Sequence, residues 1–127
     1  MGDCSTTDEV LREYYNAMNK QDLLKALSFL GEDVMVIFPE SDRNWSGKTI
    51  AKEKFEGMFK RMPGFYGEFD INSVTKSNRF NSEVSSEVVE VKASCRFSSS
   101  INNEVSKRDM EYTIDIPTGK ILKIVHY

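Results

Sequence analysis

Cysteine, proline and histidine are scarce in this chain of 127 residues, at two, three and one. Cys4 falls in a tail and Cys95 in a strand interior, so a disulfide framework is excluded and a reducing compartment fits better. The address expected on that ground is cytoplasmic. No apolar run is long enough to span a bilayer, so no membrane partner is expected. The net charge is −3, with Lys and Arg scattered among acids rather than gathered in a stripe, which argues against nucleic acid. The segment Met1–Thr6 has no basic flank and no apolar core, so it does not read as a secretory signal. Gly2 and Thr6 fit the spacing of a myristoylation signal, a short and permissive pattern. No internal repeat is present. Neither metal nor cofactor is expected.

What remains is ordinary globular material. Hydrophobic residues make up 39% and charged residues 29%, which suits one domain over 1–127 with residues 1–5 as a flexible tail. Thr6 with Glu9 three residues later forms a capping box, and Val10, Leu11, Tyr14, Tyr15 and Met18 then share a helical face. Asn19-Lys20-Gln21 breaks the helix, and Asp22 caps a second one carrying Leu23, Ala26, Leu27 and Leu30. Gly31 is expected to end it as a left-handed cap. Val34–Phe38 is a strand stopped by Pro39, and Glu40–Asn44 reads as polar loop. Gly47 opens a third helix with Ala51, Phe55, Met58, Phe59 and Met62 inward, closed by Pro63-Gly64.

The second half alternates instead. Phe65–Lys76 reads as a strand with Phe65, Phe69 and Ile71 on one side, and 77–81 as a turn. Ser82–Ser98 is a long strand with Val89, Val91, Ala93, Cys95 and Phe97 on one face. Val84 and Val88 have the other parity, which predicts a bulge near Glu87. A loop follows over 98–103. Arg108, Met110, Tyr112, Ile114 and Ile116 then alternate inward, and Thr118-Gly119 turns into a last strand, Lys120–Tyr127. Helices first and strands afterwards predict an α+β fold: a curved antiparallel sheet packed against three N-terminal helices.

Three stretches read together resemble the nuclear transport factor 2-like superfamily, which includes the ketosteroid isomerases and the SnoaL-like polyketide cyclases. They are Tyr14-Tyr15-Asn16-Ala17-Met18-Asn19-Lys20-Gln21-Asp22, Leu30-Gly31-Glu32-Asp33-Val34 and Trp45-Ser46-Gly47. The resemblance implies a cone-shaped, cystatin-like α+β roll with a pocket between helices and sheet. Aligned with the isomerases, Tyr14 falls on their oxyanion-hole tyrosine, and their catalytic aspartate, just before the proline, falls on Phe38. Phenylalanine cannot take a proton, so the base of that reaction is missing. The second oxyanion donor falls on Tyr112 if the hairpin is one residue shorter, or on Glu111 without that gap. Strand parity favours Tyr112.

The lone His126 has inward parity with Leu122 and Ile124, so His126 and Tyr14 are the candidate catalytic pair. Tyr14, Met18, Phe38, Trp45, Phe55, Phe59, Met110, Tyr112 and His126 form the candidate ligand-binding set. Each has a bland alternative. Tyr14 serves equally as a helix aromatic whose hydroxyl reaches a strand carbonyl, and His126 as a satisfied core histidine. Trp45 either walls the pocket mouth or covers the end of the helix layer. Cys95 reads better as a small buried filler than as a nucleophile.

Three functions stay open at this point. The first is a pocket protein for a small apolar molecule, as binder or as lyase or isomerase. The second is a protein-interaction module of the transport-factor type. The third is a scaffold whose pocket is filled by its own Phe and Met side chains. A homodimer is expected through the outer sheet face, where Val88, Val125 and Tyr127 sit among Lys92, Ser94, Arg96 and Thr113.

Overall fold

Leu11, Tyr14, Tyr15 and Met18 recur at helical spacing and are all buried, which fixes the inner face of the first helix. The computed structural model describes the backbone of residues 3–41, 43–82, 85–99 and 105–127, and the side chains of all of these except 3–8 and 71. Helix α1 (Asp3–Asn19) begins upstream of the expected Thr6 cap. No proline or glycine separates Asp3 from Thr6, so nothing stops the helix there, and the stretch expected as tail is helical from Asp3. Gly2 lies outside the described residues.

Asp22 caps α2 (Leu23–Ser28) by accepting from the Lys25 backbone N–H at 3.2 Å. Helix α3 (Lys48–Arg61) starts from Gly47, whose φ of 98° is a conformation few other residues adopt. An added Cβ there would meet nothing within 4 Å, so backbone conformation alone calls for glycine.

The sheet has seven strands: β1 (Leu30–Phe38), β2 (Arg43–Ser46), β3 (Tyr66–Phe69), β4 (Thr75–Asn81), β5 (Ser86–Ser98), β6 (Ser106–Asp115) and β7 (Ile121–His126). Their order is β2-β1-β7-β6-β5-β3, with β4 also paired to β5. The pairings are antiparallel except one: β1 runs parallel to β7, which makes the sheet mixed where an antiparallel one was expected. The inner face carries Val36, Val89, Val91, Cys95, Met110, Tyr112, Ile114 and Ile124, all buried in one core with the helices.

Several local expectations are corrected. Gly31 lies in β1 rather than capping α2, which ends at Phe29 in a right-handed conformation. A Cβ on Gly31 would stand 3.1 Å from Leu122 Cδ2, so the glycine lets β1 approach β7. Residues 43–46 form strand β2, paired to β1. The run Phe65–Lys76 is divided, because Asp70 accepts from the Asn72 N–H and turns the chain through a 3-10 segment at Ile71–Ser73. Residues 77–81, expected as a turn, belong to β4. No bulge occurs near Glu87: β5 keeps continuous register with β4 and β6. Val88 therefore faces outward, where it is nonetheless fully buried, beside Arg79, which pairs with Glu90 at 3.1 Å. The bulge lies in β7, where Leu122 is the extra residue between Ile121 and Lys123, so Ile121 rather than Leu122 takes the inward place. Val84 and much of the loop over 98–103 lie outside the described residues.

The outer face thus keeps Val88, Val125 and Thr113 buried within one chain. Met35, Tyr66, Val105 and Tyr127 are exposed apolar side chains on it.

Asn19, the last residue of α1, ties the helix to edge strand β3. Its amide donates to the Gly67 carbonyl at 2.9 Å and accepts from the Gly67 N–H at 2.7 Å. It acts as one rung of a strand ladder on an edge that has no strand neighbour among the described residues. Asn19→Leu should lower stability by about 1–2 kcal/mol through these two lost bonds. Urea unfolding checks this, and a variant as stable as the parent would show the rung to be idle.

Candidate functional site

Inward parity on β1, β2, β6 and β7, with the inner faces of α1 and α3, encloses a cavity of about 740 Å³. That volume lies in the range of small-molecule sites. Tyr14, Tyr15 and Met18 come from α1, Val36 and Phe38 from β1, and Trp45 from β2. Phe55, Met58 and Met62 come from α3 and its cap, and Met110, Tyr112, Ile124 and His126 from β6 and β7. Phe65 and Phe97, stacked with ring centres 5.8 Å apart, close one side. Trp45 meets Phe55 edge to face at 6.4 Å. Ser41, Arg43, Glu53, Lys54, Arg61, Ser106 and Arg108 line the cavity while exposed, so they form its mouth.

The buried phenols have different fates. The Tyr15 and Tyr112 hydroxyls bond to each other at 2.5 Å, and Tyr15 also donates to Cys95 Sγ at 3.1 Å. Burial raises the pKa of both phenols. It also pushes the Cys95 thiol up to about 11, against a lesser opposing effect of the Tyr15 bond, so this thiol stays protonated and unreactive. The filler reading of Cys95 stands.

Tyr14 differs. Its residue is 5% exposed, yet its hydroxyl bonds to none of the described residues, neither a strand carbonyl nor another side chain. Among the described residues no fully enclosed side-chain nitrogen or oxygen lacks a partner, so the Tyr14 oxygen opens onto the cavity. Burial also holds this phenol well above its ordinary pKa, so it is a donor at neutral pH.

His126 stacks on Phe38, ring centres 4.5 Å apart and planes 20° apart. Burial, and then the charge of Arg108, lower its pKa from 6.5 to about 4. The ring is therefore neutral at pH 7 and a weak base. Glu53 is the one acid among the described residues lining the cavity, and it stands at the mouth. Phe38, the other ring of the His126 stack, lines the cavity with an apolar side chain.

The structure brings Tyr14, Met18, Phe38, Trp45, Phe55, Met110, Tyr112 and His126 to this cavity. Phe59 is the exception. Phe55, Met58 and Met62 form the lining stripe of α3, and Phe59, one position on from Met58, turns to the flank and packs on the core instead. Tyr15 and Arg43 were not anticipated as lining residues, while Arg108, expected inward by parity, stood outside the candidate set and lines the mouth. Arg43 and Trp45 alternate across Asn44, a short strand signal that the polar composition of 40–44 hides.

No protein-family model matches the chain, and no curated protein matches it in sequence. Solved structures match it closely in shape. A domain of unknown function with a cystatin-like fold from Nostoc punctiforme aligns with a TM-score of 0.75 at 15% identity, over 99% of this chain and 76% of that one. A cystatin-like protein of unknown function from Methylobium petroleophilum gives 0.72 at 16%, over 97% and 75%. A protein like nuclear transport factor 2 from Cytophaga hutchinsonii gives 0.59 at 13%, over 95% and 88%. The chain has the nuclear transport factor 2-like, cystatin-like α+β fold. At these identities the likeness is one of fold, and function has to be argued from the site.

Proposed function

We propose that this protein binds a small, largely apolar molecule in the cavity, with the Tyr14 hydroxyl as the donor that orients it. One observation carries the reading: an aromatic-walled space of about 740 Å³ holds a buried phenol with no partner among the described residues. The Tyr14 hydroxyl, open to the cavity and uncommitted to any described residue, is a donor that an acceptor on a ligand can take up. The same space speaks against a pocket plugged by its own Phe and Met side chains. The weakly basic His126 and the missing inner carboxylate favour binding over proton abstraction.

Phenylnaphthylamine, an uncharged dye that brightens in apolar sites, tests this. Saturable binding of one dye per chain is expected. Met58→Trp places an indole in the space and should weaken binding at least tenfold. Equal binding to the filled variant would place the dye elsewhere and overturn the reading.

A further inference from the structure

We propose that the occupant of this cavity is an organic anion: an aromatic or polycyclic body among the aromatic walls, with a carboxylate, sulfonate or phosphate head held at the mouth by Arg43, Lys54, Arg61 and Arg108. The inference rests on the pocket reading above and adds the charge of the ligand.

The mouth cations come from three separate elements. Arg43 is on β2 beside Phe38 in register, Lys54 and Arg61 share one face of α3, and Arg108 is on β6 two residues before Met110. All four are exposed and line the cavity. None has an ion-pair partner among the described residues. Four cations elsewhere on the surface do pair, Lys25 with Glu13, Lys48 with Glu32, Arg79 with Glu90 and Arg96 with Glu68, while others, Lys52 and Lys60 on α3 among them, have no ion pair among the described residues, so it is the clustering at one opening that sets the four apart. Against the four stands one lining acid among the described residues, Glu53, in a chain whose net charge is −3. Positive charge is thus gathered at the single rim where the chain average predicts the opposite sign.

The Arg61 guanidinium lies back along α3 beside Gly57, which also lines the cavity. The charge of Arg108 also reaches inward, since it is felt at His126. A cleft with low-dielectric walls and one sign of charge at its opening focuses the field on an entering anion. Guanidinium groups suit planar oxyanions through paired, charge-assisted bonds. The head stays at a wet rim, so binding does not require full desolvation of its charge.

Anilinonaphthalene sulfonate and phenylnaphthylamine share one ring system and differ by the sulfonate. The sulfonate should bind about tenfold more tightly at low salt, as one charge-assisted contact allows, and lose most of that advantage in concentrated salt. The double variant Arg61→Gln, Arg108→Gln should remove most of the preference. Its affinity for the uncharged dye should stay as in the parent, which also reports that the variant is folded. Equal binding of both dyes to the parent protein, or a preference that survives the double substitution, would overturn the anion assignment and leave the pocket reading intact. If neither dye binds, both readings fall.

Discussion

Replacing Tyr15 with phenylalanine will cost about 2 kcal/mol of stability, and replacing Tyr112 as well will add little or even recover part of the loss. The Tyr15 hydroxyl is shared between Tyr112 Oη and Cys95 Sγ. Its removal leaves the Tyr112 hydroxyl, on a residue that is 2% exposed, without its side-chain partner. The stranded group, more than the lost bond, sets the cost. Tyr112→Phe in the same chain removes the stranded group, so the two changes are strongly non-additive. The ring of Tyr15 stays in place throughout, held edge to face by Phe69 at 5.5 Å. Tyr14→Phe, one residue away, should change stability by less than about 0.5 kcal/mol, because it breaks no bond to a described residue. Urea unfolding of five proteins checks the set: the parent, the single phenylalanine variants at 14, 15 and 112, and the 15/112 double variant. Additive losses at 15 and 112 would show that the two hydroxyls do not depend on each other.

The second large effect is a pH dependence. His126 has a folded pKa of about 4 against an ordinary 6.5. In the unfolded chain the imidazole takes a proton first, so unfolding gains protons between those two values. Stability is then full above about pH 6.5 and falls as the pH drops through the window toward 4. The ring is partly exposed, which discounts the effect to about 2 kcal/mol. The His126→Phe variant keeps an aromatic ring against Phe38 and loses this slope. Carboxylates titrate in both proteins, so the difference between their unfolding curves at pH 7 and pH 4.5 isolates the histidine. Parallel losses in parent and variant would mean that His126 is protonated as freely in the fold as outside it.

The site residues that parity could reach were legible in the sequence. Met110, Tyr112 and Ile114 alternate inward on one strand, and Tyr14 and Met18 share a helix face, so their convergence follows from period alone. The hydrogen bonding was not legible. Tyr14 and Tyr15 are neighbours on one apolar face, and only the position of Tyr112 on a distant strand decides that Tyr15 is bonded while Tyr14 is free.

Strand β4 was missed for a different reason. Its residues are exposed or half-buried throughout, so no apolar alternation marks it, and backbone pairing to β5 supplies the order. Arg43 was hidden because a four-residue strand is too short for a period to show. Phe59 failed on the width of the stripe: spacing marks a broad apolar face on α3, and tertiary placement chooses which edge of it meets the cavity.

The parallel pairing of β1 with β7 has a consequence for how the chain acquires its structure. Leu30 lies opposite Ile121 and Val36 opposite Ile124, so the early strand finds its inner neighbour only in the strand that comes last in chain order. During synthesis α1 and α2 have their residues at hand, and β1 with β2 can pair only as an isolated two-stranded ribbon, marginal in water. Closing the sheet means bringing together segments separated by most of the chain, an entropic cost met before the contacts repay it. The cavity floor, where Val36 meets Ile124, is therefore among the last parts to form. Until then the aromatic walls that later hold a ligand are an exposed apolar surface, and they are what a chaperone would meet on the newborn protein.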